Sequence, residues 1–216
     1  MTEAEWLAAT DPTPMLNVLR DRADQRKWRL FAVECCRRAV NDFGYTEFEP
    51  AILCGSKMAE DLPYNVDLRR AQEIVDAWID QPSTTHHYVA EAIQVTILPH
   101  LIGVDDARRV VRAISAAFAE ANFGSGGREE YRAQAHLLRE FFGTTYPIGV
   151  NRQWLMSTVV TLAEGIYADR AFDRLPILAD ALQDAGCDNA DILAHCRGDG
   201  PHVRGCWVVD VLLGKE

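Results

Sequence analysis

Asp105–Ala121, DDARRVVRAISAAFAEA, decides the fold class. Val110, Val111, Ile114 and Phe118 recur at one-, three- and four-residue steps, so they fall on one side of an α-helix, while Arg108, Arg109 and Arg112 fall on the other. Asp105 and Asp106 stand in the first turn, where the positive end of the helix dipole favours carboxylates; that accounts for the acidic pair without catalysis. The same period runs through the rest of the chain. Thr2 and Glu5 have capping-box spacing ahead of Trp6 and Leu7, and Asp11-Pro12-Thr13-Pro14 ends that helix. Met15 to Leu19 forms a second. The pattern predicts a third from about Asp24 to Phe43, with Phe31, Cys35, Cys36, Ala39 and Val40 inward and Arg26, Lys27, Arg29, Arg37 and Arg38 outward. Further helices are expected over Glu47–Leu62, Val66–Ile79, Pro82–Leu98, Arg128–Phe142 and Gln153–Tyr167. The expectation is an all-α protein of about ten to twelve short-to-medium helices packed as a bundle or array.

Gly124-Ser125-Gly126-Gly127 is the most breaker-rich run, and it predicts a boundary between an amino-terminal part, 1–123, and a carboxyl-terminal part, 128–216; the alternative is one continuous domain. It is no phosphate loop, because no GK[ST] follows and no strand precedes. The chain has 216 residues, a formal charge of -10, and 48% hydrophobic and 25% charged residues. This composition suits a soluble globular protein and argues against a nucleic-acid role, since the two arginine clusters, Arg26–Arg38 and Arg108–Arg112, lack an accompanying recognition motif. Met1–Arg22 has no signal-peptide character, and no apolar run approaches the ~18 residues of a membrane span. The expected location is the cytoplasm, with no membrane partner. There the six cysteines stay reduced.

The unusual side chains gather at the carboxyl end, in Leu175–Glu216. Leu175, Leu178, Ala179 and Leu182 make one helix face that stops at Gly186; Asp188 or Asn189 caps a short second helix; Arg197-Gly198-Asp199-Gly200-Pro201 turns the chain. A third helix from Pro201 to Gly214 would place His202, Cys206 and Asp210 on successive turns of one face, although Gly205, Val208 and Val209 leave a strand open there. His195 would approach across the turn. Two imidazoles, a thiolate and a carboxylate form a zinc-compatible set, so His195, His202, Cys206 and Asp210 are the candidate metal ligands. The same residues allow a Cys206 nucleophile with His202 or His195 as base and Asp210 orienting the ring. A third reading is a packed hairpin with a Cys and Trp core, histidines bonded to helix ends, and Arg204 paired with Asp210 or Asp199. His87 and Glu91, one turn apart on an earlier helix, have no second such pair to complete a metal site. Cys35 and Cys36 point apart on a helix and belong to the core rather than to a redox pair.

The opening MTEAEWLAATDPTPML, the segment RKWRLFAVECCRR, the later HLLREFFG and the run ADRAFDRLPILADALQDAGCDNADILAHCRGDGPHVRGCWVVDVLLGKE resemble a paralogous family of planctomycete proteins described as hypothetical. The resemblance covers both ends of the chain and not residues 45–128. It implies a carboxyl-terminal module that recurs behind different upstream segments, and so an interaction or accessory module. It also implies leucine at the position of Cys196 in related modules, which ranks His195, His202, Cys206 and Asp210 ahead of Cys196. Two functional expectations follow: an all-helical protein that works by contact with a protein partner, or a metal-dependent or Cys206-based hydrolase or transferase with its site in the 175–216 hairpin.

Overall fold

A computed structural model describes residues 1–20, 25–81, 85–99, 103–121, 126–146 and 148–215, with the backbone alone at position 66. Among these residues there are twelve α-helices and no strand. They are α1 (Glu3–Ala8), α2 (Pro12–Val18), α3 (Gln25–Phe43), α4 (Glu49–Ala59), α5 (Asn65–Ile79), α6 (Thr85–Thr96), α7 (Val104–Ala121), α8 (Gly126–Phe142), α9 (Ser157–Asp169), α10 (Leu175–Asp184), α11 (Ala190–Arg197) and α12 (Trp207–Leu213). No helix among them is long and apolar enough to cross a membrane. The Thr2–Glu5 capping box forms in full, the Glu5 amide donating to Thr2 Oγ1 and the Thr2 amide to Glu5 Oε2. Expected starts at Asp24 and at Pro82-Ser83-Thr84 lie outside the described residues.

The chain divides into two compact units, Met1–Leu138 and Arg139–Glu216. The boundary therefore falls inside α8 and not at residues 124–127, of which Gly124 and Ser125 are outside the described residues. The reason is packing. A Cβ at Gly127 would stand 3.2 Å from Ala119 Cβ and 3.2 Å from the Ser115 carbonyl, so Gly127 permits α8 to press against α7. Further along the helix, the buried Gln134 accepts from Ser115 and donates to Glu130. The first turns of α8 are thus part of the first unit's core.

In the first unit α3 packs against α4, α6 and α7, and its burial extends round most of its circumference, from Lys27 to Val33 and on through Cys35, Cys36, Ala39 and Val40. The outward placement expected for Lys27 and Arg29 is corrected here: both are buried. Arg29, only 7% exposed, donates to the Thr96 carbonyl at 2.6 Å and the Leu98 carbonyl at 3.0 Å. It satisfies carbonyls that the end of α6 would leave orphaned, which is how a long cation can sit inside an all-helical core. Cys35 and Cys36 are buried, and burial pushes both thiols up.

The second unit closes around Trp154, Val159, Ile166, Leu178, Leu182, Ile192, Cys196, Cys206, Trp207 and Val209. Two expectations change. The helix expected over 153–167 is a 3-10 turn, Arg152–Trp154, followed by α9; Asn151 caps the turn by accepting from the Gln153 amide, and Met156 is extended before α9 begins. Trp154 is held by an indole N–H donated to the Gly186 carbonyl at 3.2 Å. The helix expected from Pro201 begins only at Trp207, because Gly205 takes φ +98° and Cys206, at φ -47° and ψ 121°, is not helical. His202 is therefore in a loop, and it does not share a helix with Cys206 and Asp210.

Candidate metal centre in the carboxyl-terminal unit

Four side chains converge in the second unit: Glu140 from the last turn of α8, His195 from α11, His202 from the loop, and Cys206 at the start of α12. One ligand atom from each lies within 4.8 Å of all the others. His195 Nε2 is 3.2 Å from Cys206 Sγ and 3.3 Å from Glu140 Oε2, and His202 Nδ1 is 3.0 Å from the same carboxylate oxygen. Bonds of about 2.0–2.3 Å from a tetrahedral metal place neighbouring donors roughly 3.3–3.7 Å apart; the three separations above are near that spacing, and the remaining pairs lie within 4.8 Å. The group can hold a metal.

The local sequence explains each placement. Asn189 caps α11 by accepting from the Ile192 amide at 3.0 Å, and this sets the rotation that points His195 toward α8. Gly143 takes φ +64° and ends α8 one turn past Glu140; a Cβ there would meet Trp207 Cδ2 at 2.8 Å. Trp207 in turn lies edge-on to the His195 ring, centroids 5.2 Å apart, and His195 lies edge-on to His202 at 5.0 Å. The loop is shaped by Gly200, at φ +73°, where a Cβ would stand 2.7 Å from the His202 amide nitrogen.

The atoms that would not bind metal are also engaged. Glu140 Oε1 accepts from the Val203 amide at 3.1 Å, leaving Oε2 to the cluster. His202 Nε2 lies 3.1 Å from the Gly198 carbonyl, an acceptor that assigns the proton to Nε2 and turns Nδ1 toward Glu140. Both ring nitrogens of His202 face acceptors, and a bound ion would sit at Nδ1, on the side that faces Glu140.

Electrostatics agree with this arrangement. Glu140 is 3% exposed, and burial pushes its carboxyl up, yet hydrogen bonds from His195 and His202 outweigh burial and hold it below the usual carboxylate range. At His202 burial pushes down, and the bond to Glu140 prevails and holds the imidazole above its ordinary value. Cys206 is 0% exposed, and its thiol is pushed well up, chiefly by burial and further by Glu140.

Of the candidate residues named from sequence, His195, His202 and Cys206 come together. Asp210 is buried on α12 and is not among the converging four; the carboxylate at the cluster is Glu140. Sequence reasoning missed Glu140, whose one signal is a lone acid inside the apolar run Leu137-Leu138-Arg139-Glu140-Phe141-Phe142. Arg204 pairs with neither Asp210 nor Asp199. It donates to the Tyr167 and Ala168 carbonyls at the end of α9 and lies over the Tyr167 ring. Cys196 is buried in the core and pushed up to about 12 by burial. His87 bonds the Ile79 carbonyl at 2.6 Å, and His86 stacks between Tyr45 and Trp78 beside Glu47. Arg26, Arg37, Arg38, Arg108 and Arg109 each face a carboxylate, which leaves little unpaired basic surface on α3 and α7. Compared with family models, with curated proteins and with solved structures, the chain matches none.

Proposed function

We propose that the carboxyl-terminal unit is a zinc-bound helical module, with zinc held by Glu140 Oε2, His195 Nε2, His202 Nδ1 and Cys206 Sγ, and that the protein acts in the cytoplasm by contact with a protein partner. The convergence of these four donors, two of them oriented by further hydrogen bonds, carries the reading. Two imidazoles with one thiolate and one carboxylate suit zinc, which accepts nitrogen, sulfur and oxygen together. Four protein donors would fill a tetrahedron, the condition of a structural site rather than one with an open position for substrate. Zinc there would tie the end of α8, α11 and the 198–206 loop to the first turn of α12. The burial of Cys206 weighs against a thiol nucleophile, which needs access and thiolate character.

The test is elemental analysis of untagged protein purified under reducing conditions, with Glu140→Gln, His202→Ala and Cys206→Ala beside Asp210→Asn. The expected result is about one zinc per chain in the wild type and in Asp210→Asn, with loss in the other three. Cobalt-substituted protein should show tetrahedral ligand-field bands and a thiolate charge-transfer band that Cys206→Ala removes. Wild-type protein without metal, even after refolding with zinc, would end the proposal. The runner-up is a metal-dependent hydrolase or transferase; it gains if zinc remains bound in Glu140→Gln and an activity screen finds turnover that Cys206→Ala or His202→Ala abolishes.

A further inference from the structure

The loop between α11 and α12 contains Asp199-Gly200, the one aspartate–glycine bond in the sequence, which has no asparagine–glycine bond. Both residues are exposed and lie outside any helix. The main-chain nitrogen that follows an aspartate can attack its side-chain carboxyl; a side chain on the following residue hinders that approach, and glycine has none. Both reacting groups are free here. Among the described residues the Asp199 carboxylate has no hydrogen-bond or ion-pair partner, and the Gly200 amide donates to no acceptor. Nor can position 200 readily take another residue. Gly200 stands at φ +73°, and a Cβ there would lie 2.7 Å from the His202 amide nitrogen and 3.1 Å from its Cδ2. The turn that delivers His202 to the cluster therefore also keeps glycine behind Asp199.

We propose that Asp199-Gly200 is a site of spontaneous conversion to isoaspartate, and that the conversion disables the metal centre; this second half rests on the zinc reading above. The Gly200 nitrogen attacks Asp199 Cγ and bonds to it, and the carboxyl OH leaves with the amide hydrogen as water, closing a cyclic imide. Water then adds to the carbon that was the Asp199 main-chain carbonyl and breaks its bond to nitrogen. The chain now runs through Cβ and Cγ, and the former main-chain carbonyl is a free carboxylate. One water leaves and one enters, so mass and charge are unchanged. The backbone has gained one carbon, about 1.5 Å of path. That carbon falls between Gly198, whose carbonyl meets His202 Nε2 at 3.1 Å, and His202, whose Nδ1 meets Glu140 at 3.0 Å. These contacts aim the imidazole, and a metal site loses affinity when such contacts are lost. Zinc on His195 and His202 would hold both ends of the loop and hinder the rotation that brings the amide to Cγ.

The test ages the full chain in warm buffer, with and without added zinc, and beside it the same chain unfolded in urea. Electron-transfer fragmentation of the digests reads isoaspartate at position 199. Asp188, exposed, outside any helix and followed by Asn189, is the internal comparison. In the native chain isoaspartate at 199 should exceed that at 188 roughly fivefold or more, because only Gly200 leaves the attack unhindered. It should form faster without zinc than with it. Aged wild type should hold zinc against a chelator roughly tenfold less tightly than fresh protein. Asp199→Glu keeps the charge but would have to close a larger, slower ring, so it should stay unconverted and keep its zinc on ageing. Isoaspartate at 199 in the unfolded chain alone, no excess over 188, or equal zinc retention by fresh and converted wild type would overturn the proposal. A wild type that takes up no zinc ends the zinc reading and the second half with it, while the isoaspartate ratio still decides the first.

Discussion

Replacing Gly143 by alanine puts a methyl group where the structure has no room for one. Gly143 sits at φ +64°, and the added Cβ would lie 2.8 Å from Trp207 Cδ2 and 3.0 Å from both Cγ and Cε2. The left-handed backbone alone costs an L-residue roughly 1–2 kcal/mol. Overpacking against a rigid ring adds about 1–3 kcal/mol, since Trp207 is itself buried and braced against His195. The expected destabilisation of the second unit is therefore about 2–5 kcal/mol. Gly214 supplies the internal control. It has the same φ of +64°, and a Cβ there would meet nothing within 4 Å, so Gly214→Ala should cost only the backbone part, about 1–2 kcal/mol. Urea unfolding followed by circular dichroism and tryptophan fluorescence would measure both variants. If Gly143→Ala falls within about 0.5 kcal/mol of Gly214→Ala, the close approach of the α8 end to Trp207 is refuted. Because Trp207 braces His195, Gly143→Ala should also weaken zinc binding, and Gly214→Ala should not.

Three further outcomes are expected. Arg29→Met would leave the Thr96 and Leu98 carbonyls without their buried donor and should lower the stability of the first unit by about 2–4 kcal/mol in urea titrations; a loss below about 1 kcal/mol would show that water replaces the guanidinium. Burial holds Glu130 above its ordinary value despite Arg38, so the folded state binds its proton more tightly than the unfolded chain does. The wild type should then lose stability relative to Glu130→Gln as pH rises from the unfolded carboxylate value toward the raised folded one, with no further change above it; urea midpoints of both proteins across that range that stay parallel would contradict this. Finally, with every cysteine buried, a neutral-pH thiol reagent should label native protein slowly and unfolded protein at once, and fast native labelling at Cys206 would revive the nucleophile reading.

Much of the fold is legible residue by residue. Helical periodicity in Asp105–Ala121, the Thr2–Glu5 box, Asn189 before α11 and Gly186 after α10 are local signals, and each appears in the structure where its chemistry calls for it. Local signals also brought His195, His202 and Cys206 forward, because histidine and cysteine so close together are conspicuous in any context. Arg29 shows where such reading stops. A charged residue is expected to face water, and only the tertiary fold brings the orphaned carbonyls of α6 within its reach.

What the sequence determines by itself, then, is the helical period, the caps and the short-range grouping of ligands, since these depend on residues within a turn or two of one another. What only the tertiary structure decides is long-range. Glu140 is distant in sequence from His195, His202 and Cys206, and no local pattern marks it as their partner. Asp210 lies one helical turn beyond Cys206, its amide donating to the Cys206 carbonyl, yet it is not part of the cluster, and Gly205 at φ +98° delays the helix to Trp207 and puts His202 in a loop. A residue's own neighbours set its backbone conformation. Which carboxylate meets which imidazole is set by how whole helices pack.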